Sequence, residues 1–251
     1  MSDLLDLLAA RSGTVCAVGA GGKKTTLHYL ASLHPGRVGL TSTVPMAHFP
    51  STLGAHEVIA GPDGIVEAVA RSASTHRLVA FAHPDVKKAR YGGLAPNLIA
   101  EIQAAARFDV VLVKCDGARM RWIKAPEGDE PLLPEGATTV VPVVSAKAIG
   151  EPLSEEIAHR PHRVEDVTGA RIGEPLTPSH VAHLLTHEQG ALKGTGSATV
   201  VPVINMVDDS ELEAAALETA RCALDLTGRF DRVVLMSHLS PDRLVSVVTR
   251  S

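Results

Sequence analysis

Three short segments hold the residue types that could do chemistry. The first follows the apolar run TVCAV and reads Gly19-Ala20-Gly21-Gly22-Lys23-Lys24-Thr25-Thr26. Glycines let backbone N–H groups converge on an anion, and a helix beginning here would add its dipole. A lysine can reach terminal phosphates, and a threonine hydroxyl can ligate magnesium. All eight residues are expected to cradle a nucleotide phosphate, with Lys24 catalytic and Thr25 on the metal. The spacing departs from the strict GxxxxGK[ST] pattern. With Lys24 as the lysine, the glycine slots fall on Val18 and Lys23; with Lys23, the hydroxyl slot falls on Lys24. Which lysine meets phosphate is therefore open. A dinucleotide fingerprint also fails, because Lys24 takes the third glycine position, and this disfavours a nicotinamide-dependent oxidoreductase. Two cations at a helix start oppose its dipole, so an anionic ligand is expected there.

The second segment, VVLVKCDGARMRWIK, runs from a buried strand into Asp116-Gly117 and then Arg119, Arg121 and Lys124. In phosphate-loop proteins an acid ending a neighbouring strand holds magnesium. Asp116 is the candidate, although an Asp-Gly turn is also an ordinary way to end a strand. Arg119, Arg121 and Lys124 are candidate contacts to nucleotide or substrate phosphate, and Asp116 and Lys124 join Lys24 as candidate catalytic residues. The third segment places Asn205 and Asp208 after the strand VVPVI. That N-x-x-D spacing matches the guanine-reading element of GTP-binding proteins, with Met206 in the lysine slot. Asn205 would support the phosphate loop, Asp208 would read the base, and Ser237 could fill the last base-side loop.

Histidines offer less. His180, His183 and His187 fall on one face of a predicted helix, which reads as an exposed histidine face before it reads as a metal site. His159 and His162 flank Arg160-Pro161 in a charged, ligand-proximal or surface loop. His48, His83 and Asp85 follow predicted strands at a possible pocket rim.

These segments need strands to deliver them. Apolar runs predict strands over 14–18, 37–41, 57–60, 78–82, 110–115, 139–144, 199–205, 232–236 and 244–248. Helical patterns fall between them, over 24–33, 64–72, 95–106, 178–187 and 210–226. Alternation of this kind predicts a mostly parallel sheet with crossover helices. The Pro-, Gly- and His-rich stretch 125–196 is expected to be a loop-rich insertion in a single α/β nucleotide-binding domain spanning 1–251. The chain is 251 residues long and 45% hydrophobic but only 3% aromatic, so Val, Leu, Ile and Ala must build its core. With a net charge of -4 and no basic run, a nucleic-acid partner is not indicated. The three cysteines are isolated, which fits a reducing cytoplasm. No basic leader and no membrane-length apolar run stand out.

The chain resembles the YqeC-type family, accessory factors associated with selenium-dependent molybdenum hydroxylases. The resemblance rests on VGAGGKKTTLHYLA, TSTVPM, DGARMRWIKAPEGDEPLLP, AIGEPLSEEIAHRPHRVEDVTG, LTPSHVAHLLTHEQGALKG and VINMVDD. It implies a phosphate-loop, NTPase-like fold of three α/β/α layers and a cytoplasmic role in cofactor maturation. The implied cofactors are ATP or GTP with Mg2+, and the implied partners a molybdenum hydroxylase or its maturation proteins. Family positions map to Gly19, Gly21, Gly22, Lys24, Thr25, Thr26, Asp116, Gly117, Lys124, Asn205 and Asp208. Two departures stand out. The doubled lysine leaves the phosphate ligand open, and Lys114 stands where the family usually has glutamate. The implied activity is NTP hydrolysis or phosphoryl or nucleotidyl transfer. A nucleotide-sensing scaffold with little turnover is the alternative that Lys114 favours.

Overall fold

The structure is a computed structural model and describes residues 3–250. The chain forms two compact α/β units. The first holds the N-terminal stretch through Ala17 together with 24–117 and 132–139; the second holds 18–23, 118–131 and 140 onward.

In the first unit, β1 (Gly13–Gly19, whose last two residues belong to the second unit), β2 (Val38–Ser42), β4 (His56–Ile59), β5 (Leu78–Pro84) and β7 (Val110–Lys114) form a parallel array. The order runs β1-β7-β2-β5, with β4 on the far side of β5. The short strands β3 (Met46–Ala47) and β6 (Arg90–Gly92) add antiparallel pairs beyond β5. All five residues of β2 are buried, and in β7 the three valines and the leucine of 110–113 are buried too, which is why that apolar run reads continuously and does not alternate. Three of the helices are α1 (Leu4–Leu7), α3 (Ile65–Ala73) and α4 (Leu98–Ala106); α2 (Lys23–Leu33) starts at the phosphate loop. α3 buries Ile65, Val69 and Ala73, one residue per turn of a single face. α4 starts three residues later than its sequence pattern suggested. It ends where Arg107 takes a left-handed conformation, φ 53°.

The second unit pairs β9 (Thr139–Ser145), β12 (Val203–Asn205) and β13 (Arg232–Met236) in parallel, with β14 (Leu244–Thr249) antiparallel to β13. β11 (Thr199–Val200) lies on β9, and β8 (Ile123–Lys124) pairs in parallel with β10 (Ala158–His159). The strand expected over 199–205 is broken at Val201-Pro202, because proline has no N–H to give a central ladder. α5 (Pro161–Thr168), α6 (Pro178–Thr186) and α7 (Ser210–Leu226) complete the unit. α5 was not predicted from the sequence. Its Pro161 sits at the first helical position, and Val164, Val167 and Thr168 turn inward. Leu153, Val164, Leu184, Val181 and Ile123 lie in one buried cluster with Ala216, Ala220 and Val233. Stretch 125–196 therefore supplies core as well as loop, and each such large residue contributes roughly 1.5–3 kcal/mol by burial.

Candidate phosphate-loop and base-side site

β1 delivers the phosphate loop. Gly19, Gly21 and Gly22 have φ of 90°, 78° and 117°, a region that side chains rarely enter. A Cβ at these positions would also collide with the Val143 carbonyl, the Ser145 amide and the Asn205 side chain, respectively. The loop is held from both sides. Ala20 N–H donates to the Val143 carbonyl at 2.8 Å, and Gly21 N–H donates to the Arg121 carbonyl at 3.1 Å. Lys23 is only 4% exposed, and its ammonium donates back to the Gly19 carbonyl. An amine folded over its own loop is placed to exchange that carbonyl for a phosphate oxygen. Lys24 and Thr25, the next two residues, are exposed, whereas Thr26 is fully buried. The first turn of α2 has no acidic residue.

Base-side residues gather in the same unit. Asn205 is fully buried, and its Nδ2 donates to the Gly21 carbonyl at 2.8 Å. The asparagine thus ties the chain after β12 to the glycine loop. Its amide also lies 3.1 Å from His238 Nε2. Asp208 is engaged at both oxygens: the Ser237 hydroxyl donates to Oδ1 at 2.7 Å, and the Lys147 ammonium lies 2.8 Å from Oδ2. Burial disfavours the Asp208 anion, but Lys147 and Ser237 outweigh it and hold the carboxyl below the usual range. Lys147 is a residue that sequence reading missed. A lysine two residues past a buried strand has no distinguishing pattern of its own. Met206 takes φ 59°, which lets the chain turn between the asparagine and the aspartate.

Segment 118–131 forms a third group. Lys124 has a fully buried side chain whose ammonium lies 2.7 Å from Glu130. Arg160 also reaches that carboxylate, at 2.5 Å, and lies 3.3 Å from Glu127. Burial opposes ionisation of Glu130. The Lys124 hydrogen bond and charge, the Glu127 amide and Arg160 nonetheless bring its pKa down to about 2. Arg119 is exposed at φ 46°.

Within the first unit, Asp116 is 1% exposed just past β7. Its carboxylate and the hydroxyls of Thr25 and Thr26 are hard oxygen donors. They suit magnesium, which takes one or two carboxylates and completes its shell with phosphate and water. Among the described residues no group of three or more His, Cys, Asp or Glu side chains is arranged to hold a metal alone. His180 serves a capping box with Thr177, and His187 accepts from Gln189 N–H at 2.9 Å, so both are used in closing the ends of α6. Burial, then the charge of Lys24, brings His28 on α2 down to about 4.

The family model described as YqeC protein matches residues 15–162, which take in the glycine loop, Asp116 and Lys124. The chain belongs to the YqeC family. The uncharacterized protein YqeC of Escherichia coli (strain K12) is 31% identical over 200 residues, covering 76% of this chain and 74% of that protein. The crystal structure of HypB from Helicobacter pylori in complex with nickel is similar with a TM-score of 0.40 and 11% identity, over 95% of this chain and 84% of that one. The YqeC match ends before Asn205 and Asp208, so those two residues stand on the geometry described above. Among the described residues no helix is long and apolar enough to cross a membrane.

Proposed function

We propose that this YqeC-family protein binds a nucleoside triphosphate, ATP or GTP, with magnesium, and hydrolyses or transfers phosphate as a cytoplasmic accessory factor. The observation that carries the reading is the glycine loop, with the Lys23 ammonium folded over it and Asn205 clipped to Gly21. Loop amides and Lys23 neutralise the phosphates. Asp116 and a hydroxyl from Thr25 or Thr26 hold magnesium, which supplies charge neutralisation when bound. Asp208, once it lets go of Lys147, accepts from the donor edge of a guanine. Lys124 and Arg119 lie on the segment whose Arg121 carbonyl receives Gly21 N–H, and they serve anionic groups beyond the loop. The family resemblance supports a role in maturing a molybdenum hydroxylase or its cofactor.

A second reading, a nucleotide-sensing scaffold with little turnover, is favoured by Lys114 in place of the family's glutamate. Calorimetry with ATP and GTP, with and without magnesium, tests the first claim. Magnesium-dependent micromolar binding is expected, and no heat with either nucleotide would overturn it. A phosphate-release assay on the same sample then separates turnover from sensing.

A further inference from the structure

We propose that the cavity bounded by Trp122, the turn after β9 and the first two turns of α7 receives the purine base of the bound nucleotide, with Trp122 and Leu212 as its apolar walls. This rests on the nucleotide reading of the glycine loop and names where the other end of that ligand lies.

β9 and β12 end level with each other, Asn205 opposite Ser145. Open α/β sheets bind ligands beyond the carboxyl ends of their parallel strands. Here the chain beyond both ends encloses a cavity of about 480 Å³, within the roughly 300–1,000 Å³ of small-molecule sites. Lys147 and Ile149 line it from the β9 side, and Asp209, Leu212 and Ala215 from the α7 side. Hydrogen bonds tie this cavity to the glycine loop. Gly21 N–H donates to the Arg121 carbonyl, and Ser145 N–H donates to the carbonyl of Trp122, the next residue, at 3.0 Å. Gly21 lies so close to Ser145 that a Cβ would strike the Ser145 amide. The wall at Trp122 is therefore one residue beyond the loop's contact at Arg121. Lys147, whose ammonium lies 2.8 Å from Asp208, joins the cavity to the base-side carboxylate.

The lining selects among the parts of a nucleotide. Trp122, Ile149 and Leu212 are partly buried, packing against the core on one side and lining the cavity on the other. Bases stack on aromatic rings because every base has a π-face. The polar lining is mainly anionic. Glu151, Asp209 and Glu211 share the cavity with one ammonium, that of Lys147, which Asp208 already engages. Like charge repels phosphate from these carboxylates, so the polyphosphate stays at the glycine loop and the uncharged end of the ligand enters. Asp209 uses one oxygen to accept from Leu212 N–H at 2.8 Å, capping α7. The carboxylates can accept from the N–H groups of a purine, and Lys147 can donate to a ring nitrogen or a carbonyl oxygen. A lysine drawn to the base lets go of Asp208, which is the release that the nucleotide reading requires.

Trp122 is the chain's one tryptophan, so its emission reports this cavity. The test is a fluorescence titration of the full chain with GTP, ATP and inorganic tripolyphosphate, each with magnesium, beside calorimetry of the same mixtures. The nucleotide is expected to quench Trp122 saturably, at the midpoint that calorimetry gives, whereas tripolyphosphate binds without quenching. Ala215→Phe fills the cavity from a half-buried position. It should weaken nucleotide binding by roughly 10-fold or more and change tripolyphosphate binding by less than about 3-fold. Calorimetric binding of nucleotide with no change in Trp122 emission would overturn the inference and leave the nucleotide reading standing. Equal quenching by tripolyphosphate would also overturn it, because Trp122 would then be reporting the glycine loop. No binding of GTP, ATP or tripolyphosphate would overturn the nucleotide reading, and this inference with it.

Discussion

Two corners of the second unit use charge in opposite ways. At the base side one carboxylate, Asp208, is fully engaged by Ser237 and Lys147. At the β8–β10 corner one carboxylate, Glu130, is outnumbered by Lys124 and Arg160. The first corner is closed by a lysine that is 39% exposed at its side chain and can swing away into water. The second is held by a lysine with no exposure at all, which cannot. An exposed partner makes a contact that a ligand can displace, whereas a buried partner makes a scaffold that a ligand must accept. In the proposed function Asp208 is the reader, and Glu130 is a support.

The sharpest way to break this comparison is Glu130→Gln. It leaves the buried Lys124 charge without its carboxylate and should cost about 3–5 kcal/mol in urea unfolding at neutral pH. A loss within about 1 kcal/mol would mean that the pair is no scaffold. A smaller effect is expected at the other corner. Lys147→Ala frees Asp208 and should tighten guanine-nucleotide binding by roughly 3- to 10-fold, with stability nearly unchanged. Asp208→Asn should erase any preference for guanine over adenine. Weaker guanine binding in Lys147→Ala would make Lys147 a ligand in its own right.

Acid stability separates two residues of the charged corner. His159 titrates at about 4 when folded against an ordinary 6.5, so the unfolded chain takes up the proton first. Stability should fall as pH drops from about 6.5 towards 4, and His159→Gln should make that limb shallower, with His28 supplying a further part of it. Glu130 titrates at about 2 against an ordinary 4.5, so its contribution is complete above about 4.5 and lost below. Stability that stays flat between pH 6.5 and 4 in the wild type would contradict the lowered His159 pKa, which burial causes first and the neighbouring cations second.

Much of the fold was legible because buried parallel strands announce themselves as apolar runs, as β7 and β9 do. α5 was not, because its PHRVEDVT sequence has only a few apolar residues and sits among prolines and histidines. Its helical face makes sense only once the packing of α6 and α7 is known. The glycine turn after β1 and the strand ending at Asn205 were legible because their patterns are local in sequence. Glu130, Arg160 and Lys147 were not, because their roles depend on partners 6, 30 and 61 residues away: Lys124, Glu130 and Asp208, respectively. A fully buried lysine implies a carboxylate partner, but sequence alone did not show that Lys124 was buried. The choice between the two loop lysines also needed coordinates. Spacing left both open, while burial favours Lys23 over Lys24.

That last difference bears directly on the central claim. Titration of GTP and ATP with magnesium into Lys23→Ala and Lys24→Ala, beside the wild type, is the most direct test. Loss of binding by roughly 100-fold or more in Lys23→Ala, with a change of only a few-fold in Lys24→Ala, is the predicted result. Unchanged nucleotide binding in Lys23→Ala would contradict the account and leave residues 19–26 as a structural turn.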